Sequence, residues 1–203
     1  GDGNDELYGF GITGTDDATA DTIDGGAGND KITGGLGDDN LKGGTGNDTF
    51  YATSQNDGAD VIDGDNGANS GNDTVDYSAL SNVANKIVVD LSTIDGSGYS
   101  TVTVTAATGE STNSTLNDDK IKNIENITAT SGNDTITGNS LANVIDGGAG
   151  IDEMRYDYSS VASTGVQINL SAGNATEIVS GLAVIDTLSN IEKVVGSNWD
   201  DKF

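Results

Sequence analysis

Residues 25–51 read GGAGNDKIT, GGLGDDNLK and GGTGNDTFY, three consecutive blocks of nine residues in one register. Each block has Gly at positions 1, 2 and 4, Asp at position 6 and an apolar residue at position 8. Glycine adopts turn conformations that other residues reach only with strain, so the first six positions predict a turn. Positions 7 to 9 place one apolar side chain between two outward ones, which predicts a short strand with its middle residue in the core.

Two such blocks predict one coil of a flattened solenoid whose turns alternate between two edges. Asp30 and Asp48 are expected to stack on one edge, and Asp21 and Asp39 on the other. Carboxylates stacked about 5 Å apart repel each other unless a cation lies between them. A hard dication with six to eight oxygen ligands fits calcium better than magnesium or zinc.

The nonapeptide pattern resembles the RTX (repeats-in-toxin) family, whose signature G-G-x-G-x-D-x-U-x belongs to a calcium-binding parallel β-helix. The resemblance implies several Ca²⁺ ions, held by the position-6 carboxylates and by carbonyl oxygens of the glycine turns. It assigns calcium ligation to Asp5, Asp21, Gly25, Gly26, Gly28, Asp30, Gly34, Gly35, Gly37, Asp39, Gly43, Gly44, Gly46, Asp48, Asp60, Asp73, Asp134, Gly150 and Asp152.

The composition favours a chain that becomes ordered only when it binds an ion. A net charge of −25 and 33% hydrophobic residues would ordinarily predict disorder. The repeat register argues against simple disorder, and 27 of the 33 acidic residues are Asp, the short carboxylate that calcium loops use. Without calcium, the chain is expected to be largely disordered, because its charges repel and its thin apolar column does not offset chain entropy.

Residue types that are missing or scarce exclude several function classes. The sequence has neither Cys nor His, which excludes disulfides, thiol or imidazole catalysis and an ordinary zinc site. The eight Lys and Arg residues are dispersed, so no nucleic-acid surface is predicted. No apolar run approaches the roughly 20 residues of a membrane span. Arg155, Tyr156, Asp157 and Tyr158 suggest a carbohydrate cleft only weakly, and aromatic packing at a coil junction is the preferred interpretation.

The pattern changes along the chain and divides it into four predicted segments. Residues 1–76 form a calcium-binding β-roll, 77–130 a β-rich linker module, 131–155 a second short β-roll, and 156–203 a second linker module that runs into a truncated repeat. Because the sequence opens and stops within repeats, it is expected to be an excerpt from a longer array.

The linker modules contain β-branched runs bounded by Gly and Ser, which predict strands at Ile87–Leu91, Thr101–Thr105 and Val166–Leu170. They also form a second, longer repeat. Asp76-Tyr77-Ser78 and Asn123-Ile124-Glu125 recur as Asp157-Tyr158-Ser159 and Asn190-Ile191-Glu192. The first copy is predicted to carry an extra insert near Thr93 to Asn117.

The fold class expected is therefore all-β, a parallel β-roll or β-helix solenoid with interspersed β-rich linker modules. The expected function is a non-enzymatic, calcium-binding structural module of a type I-secreted extracellular RTX protein at the bacterial cell surface. The alternative is a calcium-dependent interaction module of an adhesin or surface layer, which would bind cell-surface glycan or further copies of itself. Ice binding is disfavoured because only one turn, Gly44 to Asn47, offers the outward Thr and Asn that a flat ice-binding row requires.

Overall fold

In the computed structural model of the chain, residues 1–9, 18–53, 57–65, 71–80, 86–105, 118–157 and 165–203 are described. These ranges contain strands and turns, and none of them contains a helix. The strands are β1 (Glu6–Tyr8), β2 (Thr22–Ala27), β3 (Lys31–Thr33), β4 (Asn40–Thr45), β5 (Thr49–Tyr51), β6 (Val61–Asp65), β7 (Thr74–Asp76), β8 (Lys86–Asp90), β9 (Ser100–Thr105), β10 (Asp119–Lys122), β11 (Asn126–Thr128), β12 (Thr135–Thr137), β13 (Val144–Asp146), β14 (Glu153–Arg155), β15 (Gln167–Asn169), β16 (Asn174–Val179), β17 (Leu182–Ser189) and β18 (Lys193–Val195).

Consecutive strands along the repeats alternate between two nine-stranded sheets. One sheet, called the β1 sheet, has the order β1-β3-β5-β7-β11-β13-β17-β16-β15. The other, the β2 sheet, has the order β18-β14-β12-β8-β9-β10-β6-β4-β2. Strands from successive coils pair in parallel, with Ile32 opposite Phe50 and Leu41 opposite Ile62. This is the all-β parallel solenoid that the nonapeptide pattern predicts.

The centre of the core is a column of position-8 side chains between the two sheets. Ile32, Leu41 and Phe50 are almost completely buried, and the same position in the later coils supplies the rest of the column. Its further members are Ile62, Val75, Ile121, Ile127, Ile136, Ile145, Met154 and Leu188. Each coil thus contributes about two apolar side chains, which makes this a thin core for its length.

The linker modules are not separate layers, because their strands extend the two sheets. Strands β8, β9 and β10 form an antiparallel meander, called the first meander, between β12 and β6 in the β2 sheet. Strands β15, β16 and β17 form the second meander, which extends the β1 sheet beyond β13. The strands predicted at 87–91, 101–105 and 166–170 are confirmed as β8, β9 and β15. The division into four segments stays a prediction, and both sheets take strands from several of those segments.

The extra insert expected near Thr93 to Asn117 in the first linker copy is visible as a longer connection and not as an added strand, because nine residues join β8 to β9 and four join β15 to β16. Strand β9 lies in that region, but the second copy has the equivalent strand β16, so both copies are three-stranded meanders. The equivalence was hidden in the sequence because β16 has no β-branched run like that of β9. Residues 106–117 lie outside the described ranges.

The Asn-Ile-Glu segments of the two copies form matching corners. Asn123 and Asn190 both have positive φ, 54° and 52°, and each donates a 2.7 Å side-chain hydrogen bond to an aspartate of the preceding coil. Three residues connect β10 to β11 and β17 to β18 at these corners, whereas six connect β3 to β4. Within the described ranges, no helix is long and apolar enough to cross a membrane.

Candidate calcium site

The position-6 aspartates form a hydrogen-bonded ladder along the edge whose turns lead into the β1 sheet, here called the first edge. Oδ1 of Asp30 accepts the backbone N–H of Asp5, and Oδ1 of Asp48 accepts that of Asp30, both at 2.8 Å. Asp73 Oδ1 in turn accepts the Asp48 N–H at 2.8 Å. Because each step joins one coil to the next, the carboxylates stack in register, and the predicted stacking of Asp30 and Asp48 is confirmed.

The turns that lead into the β2 sheet form a second edge with the same ladder. Asp39 Oδ1 accepts the N–H of Asp21 at 2.8 Å, and Asp60 Oδ1 accepts that of Asp39 at 2.9 Å. Further along, Asp152 Oδ1 accepts the N–H of Asp134 at 2.7 Å. The pairs predicted to share an edge, Asp21 with Asp39 and Asp134 with Asp152, are therefore neighbours.

The second carboxylate oxygen of these residues has a different environment. Oδ2 of Asp21, Asp30, Asp48 and Asp152 is buried and accepts no hydrogen bond from the described residues. A buried carboxylate oxygen without a donor is costly, and a bound cation removes that cost. In Asp30, Asp48 and Asp152, one carboxylate oxygen thus joins two coils, and the other has no hydrogen-bond donor among the described residues.

The position-1 glycines line the space that this second oxygen faces. A Cβ added at Gly25 would collide with Asp30 Oδ2 and lie 2.6 Å from the carbonyl oxygen of Gly43. At Gly43, it would collide with Asp48 Oδ2 and lie 2.7 Å from the carbonyl oxygen of Gly64. A carboxylate oxygen and a carbonyl oxygen of the next coil therefore converge where a side chain would otherwise be. We call this space beside each position-1 glycine a cradle.

The glycines at positions 2 and 4 are required by the backbone itself. Gly44 and Gly46 have φ of 111° and 121°, and a Cβ on either would collide with the carbonyl oxygen of the glycine one coil earlier. Side chains other than hydrogen rarely tolerate that region of φ. The predicted glycines that share this positive φ are Gly26, Gly28, Gly35, Gly37, Gly44, Gly46 and Gly150.

The donor set at these turns consists of oxygen atoms alone. Among the described residues, no group of three or more Asp, Glu, His or Cys side chains could hold a metal ion. An ion at these turns would therefore take much of its coordination from backbone carbonyl oxygens. Calcium accepts such mixed carboxylate and carbonyl shells and tolerates irregular geometry, so the residues present fit it.

Burial also raises the proton affinity of several of these carboxylates. The pKa of Asp152 is raised to about 6, chiefly by desolvation. The pKa of Asp48 is raised by the same cause, against the hydrogen bond from Asp30 that lowers it. The pKa of Asp60 is raised to about 9 by burial and by the nearby charge of Asp119. Protons and a dication therefore compete for these oxygens.

A comparison with protein families assigns this geometry to a known repeat. The model of the RTX calcium-binding nonapeptide repeat matches residues 15–50, 33–70 and 123–154, in four copies. These segments are RTX repeats. The RTX repeat binds Ca²⁺ as a structural unit, with several ions across an array, and the described turns have its glycine and aspartate pattern. A search of curated proteins found no match.

The RTX turns of Asp73 and Asp152 are completed by the Asn-Ile-Glu corners. A Cβ added at Gly64 would lie 2.5 Å from Asp73 Oδ2 and collide with the carbonyl oxygen of Asn123. One added at Gly147 would lie 2.9 Å from Asp152 Oδ2 and collide with the carbonyl oxygen of Asn190. Each corner therefore supplies the carbonyl that the next RTX turn would otherwise provide.

Two predicted ligands lie in turns that depart from the RTX pattern. Oδ2 of Asp134 accepts hydrogen bonds from the backbone N–H and the hydroxyl of Thr130, at 2.8 and 2.9 Å. The turn of Asp60 has Ala52 at position 1 instead of Gly. Calcium ligation by these two aspartates stays a prediction. Asp5 ends the first-edge ladder, where its N–H donates to Asp30.

The sequence analysis did not identify four acidic residues of the ladders. Glu125 Oε2 accepts the N–H of Asp73 at 3.0 Å, and Glu192 Oε2 accepts that of Asp152 at 2.9 Å. Asp119, the first residue of β10, and Asp186, within β17, accept the same ladder bond from the N–H groups of Asp60 and Asn143. The recurrence of Glu in both Asn-Ile-Glu segments was a visible signal, whereas the two aspartates follow no glycine turn in the sequence.

Proposed function

We propose that this chain is a calcium-binding structural module of a type I-secreted extracellular protein, and that it folds when calcium binds outside the cell. One observation carries the proposal: buried Oδ2 atoms face the glycine cradles at Asp21, Asp30, Asp48 and Asp152. The proposed ligands are these carboxylates and those of Asp39 and Asp73, together with carbonyl oxygens of the neighbouring glycine turns and Asn-Ile-Glu corners.

The energetics support a fold that depends on the ion. The stacked carboxylates belong to a chain with a net charge of −25, and each coil adds only about two side chains to the apolar column. Calcium binds only the assembled turns, so its binding free energy adds to the folding free energy. Extracellular calcium modules commonly have dissociation constants of about 10⁻⁴ to 10⁻³ M. Such a chain stays unfolded in a calcium-poor cytosol, which suits export, and becomes ordered outside the cell.

Calcium titration followed by far-ultraviolet circular dichroism tests this proposal. We expect little β signal in chelator, a cooperative gain as calcium rises to about 10 mM, and no comparable gain with magnesium. A full β spectrum in chelator that calcium leaves unchanged would show that the apolar column is sufficient and would refute folding on calcium binding.

A second function, calcium-dependent association through the linker modules, is favoured by one specific feature. Leu182 and Ile185 of β17 are 73% and 55% exposed, and Val144 of the adjoining strand is 50% exposed. Ile185 and Val144 lie on the outer side of the β1 sheet and Leu182 lies at the exposed end of β17, where a glycan or another copy of the chain has access. Sedimentation velocity with calcium and with chelator tests it, because association at micromolar protein in calcium alone is expected if this surface is an interface.

A further inference from the structure

Two buried tyrosines occupy the place of the position-1 glycine in the ladder. In the RTX turns, the position-1 N–H donates to the position-9 carbonyl of the next coil, as Gly9 does to Thr33 and Gly147 to Ser189. Tyr77 makes the same bond to Thr128 at 2.8 Å. Tyr156 makes it to Val195 at 2.9 Å. Their backbones are therefore equivalent to those of the glycines that line the calcium cradles.

The residues that face these tyrosines occupy position 6. Asp119 Oδ1 accepts the N–H of Asp60 at 2.9 Å, which is the ladder bond of the other aspartates. Asp186 Oδ1 accepts the N–H of Asn143 in the same way. Position 1 and position 6 thus meet at both places, although 42 and 30 residues of chain separate them.

The free carboxylate oxygen has the same partner in both cases. The hydroxyl of Tyr77 donates to Asp119 Oδ2 at 2.8 Å, and that of Tyr156 donates to Asp186 Oδ2 at 2.8 Å. Both rings are completely buried. The phenol therefore fills the cradle with its ring and satisfies, with its hydroxyl, the oxygen that faces the cradle in the RTX turns.

We propose that Tyr77 with Asp119, and Tyr156 with Asp186, are calcium-independent locks in which a tyrosine hydroxyl takes the place of the cation. Both locks lie where the chain leaves the coil to begin a meander, and Asp119 and Asp186 belong to its returning strand. There the tyrosine and the aspartate are far apart in the chain, so no glycine turn joins position 1 to position 6 and offers the carbonyl oxygens of positions 2 to 4. An ion would lack those carbonyl ligands, whereas a single side-chain donor needs none of them.

Calcium stoichiometry distinguishes the locks from the ion sites. This inference rests on the proposed calcium function of the other turns. The full chain and three variants, Asp119→Asn, Asp186→Asn and Asp48→Asn, are saturated with calcium, checked for β structure by circular dichroism, and counted for bound calcium by equilibrium dialysis. We expect Asp119→Asn and Asp186→Asn to bind as many ions as the wild type, and Asp48→Asn to bind fewer. Loss of ions from Asp119→Asn or Asp186→Asn, as from Asp48→Asn, would overturn the locks.

A variant on the tyrosine side keeps the test decisive if an aspartate variant fails to fold. Tyr77→Phe retains the ring and removes only the hydroxyl, so we expect an unchanged ion count and a lower melting temperature. A gain or loss of bound calcium in Tyr77→Phe, or an unchanged melting temperature, would overturn the lock. A wild-type chain that binds no calcium would refute the proposed function itself. In that case a tyrosine hydroxyl could not be said to take the place of a calcium ion.

Discussion

The backbone N–H of Asp30 donates to Oδ1 of Asp48, one coil further along the solenoid, at 2.8 Å. The same carboxylate directs Oδ2 toward the cradle beside Gly43. One side chain therefore joins two coils with one oxygen, and its other oxygen is the one that we propose for calcium. Substitutions that change one oxygen and keep the other separate the two contributions.

Asp30→Asn should weaken calcium-driven folding without breaking the ladder. The amide keeps a carbonyl oxygen for the N–H of Asp5 but replaces Oδ2 with an NH₂ group that repels a cation. We expect the calcium midpoint of folding, measured by circular dichroism, to rise roughly tenfold, which corresponds to about 1.4 kcal/mol. Asp24→Asn is the control, since it removes the same charge from an exposed strand position. Equal shifts in both variants would mean that net charge, not ligation, sets the midpoint.

Gly43→Ala should block a cradle sterically. Its Cβ would collide with Asp48 Oδ2 and lie 2.7 Å from the Gly64 carbonyl oxygen, so the oxygens must separate. We expect a higher calcium midpoint and a lower melting temperature in calcium. Gly96→Ala is the matched control, because a Cβ there has no neighbour within 4 Å among the described residues and needs no unusual φ. A Gly43→Ala protein that behaves like Gly96→Ala would contradict the cradle.

Acid should stabilise the calcium-free fold. The pKa values of Asp119, Asp152 and Asp186 are raised from 3.8 to about 6, chiefly by burial. Between those values the folded chain binds more protons than the unfolded chain, so the free energy of unfolding falls as the pH rises from about 4 through 6. In chelator, we therefore expect more β signal and a higher melting temperature at pH 5 than at pH 8.

Calcium should reverse the sign of that pH dependence. Protons must leave the ligating carboxylates before the ion binds, so the calcium midpoint is expected to be higher at pH 5 than at pH 7.5. Parallel titrations at the two pH values measure it. A chelated chain that loses structure on acidification, or a calcium midpoint that falls with it, would show that the buried carboxylates do not control folding.

Phe50→Ala should be strongly destabilising even in saturating calcium. Phe50 is completely buried in the apolar column, and truncation of a buried Phe typically costs about 3 to 5 kcal/mol. Urea unfolding in calcium measures the loss. Leu182→Ala removes a side chain that is 73% exposed, so its free energy of unfolding should change little. Similar losses in the two variants would show that the column does not carry the stability of the fold.

The regular part of this fold was predictable because each structural requirement repeats at one spacing in the sequence. Gly at positions 1, 2 and 4, Asp at 6 and an apolar residue at 8 predict the turn, the stacked carboxylate and the core column from a single block. The same spacing predicts which aspartates stack, as Asp30 with Asp48 confirms. Side-chain hydrogen bonds between coils were not predictable, because the pattern does not show which oxygen of Asp48 faces the next coil.

The meanders were harder to predict from the sequence because they interrupt the nine-residue spacing of the repeats. Tyr77 was aligned with Tyr158, two residues from its structural counterpart Tyr156, since the tripeptide Asp-Tyr-Ser matched better than the count from position 8. Residues 158–164 lie outside the described ranges. A tyrosine two residues after buried Val75 or Met154, where a glycine stands after Ile32, was the available signal.

Each meander has three strands, so its last strand runs in the same direction as its first and the chain continues to wind in the same sense. Strand β8 runs parallel to β12, β9 runs in the opposite direction, and β10 again runs parallel to its neighbour β6. The returning strand therefore ends at the edge where an uninterrupted coil would have ended, and the helical sense continues. The first meander adds two strands to the β2 sheet and the second adds two strands to the β1 sheet, so that the described residues form nine strands in each sheet. Such paired meanders allow a solenoid to gain outward surface while its two sheets keep the same number of strands.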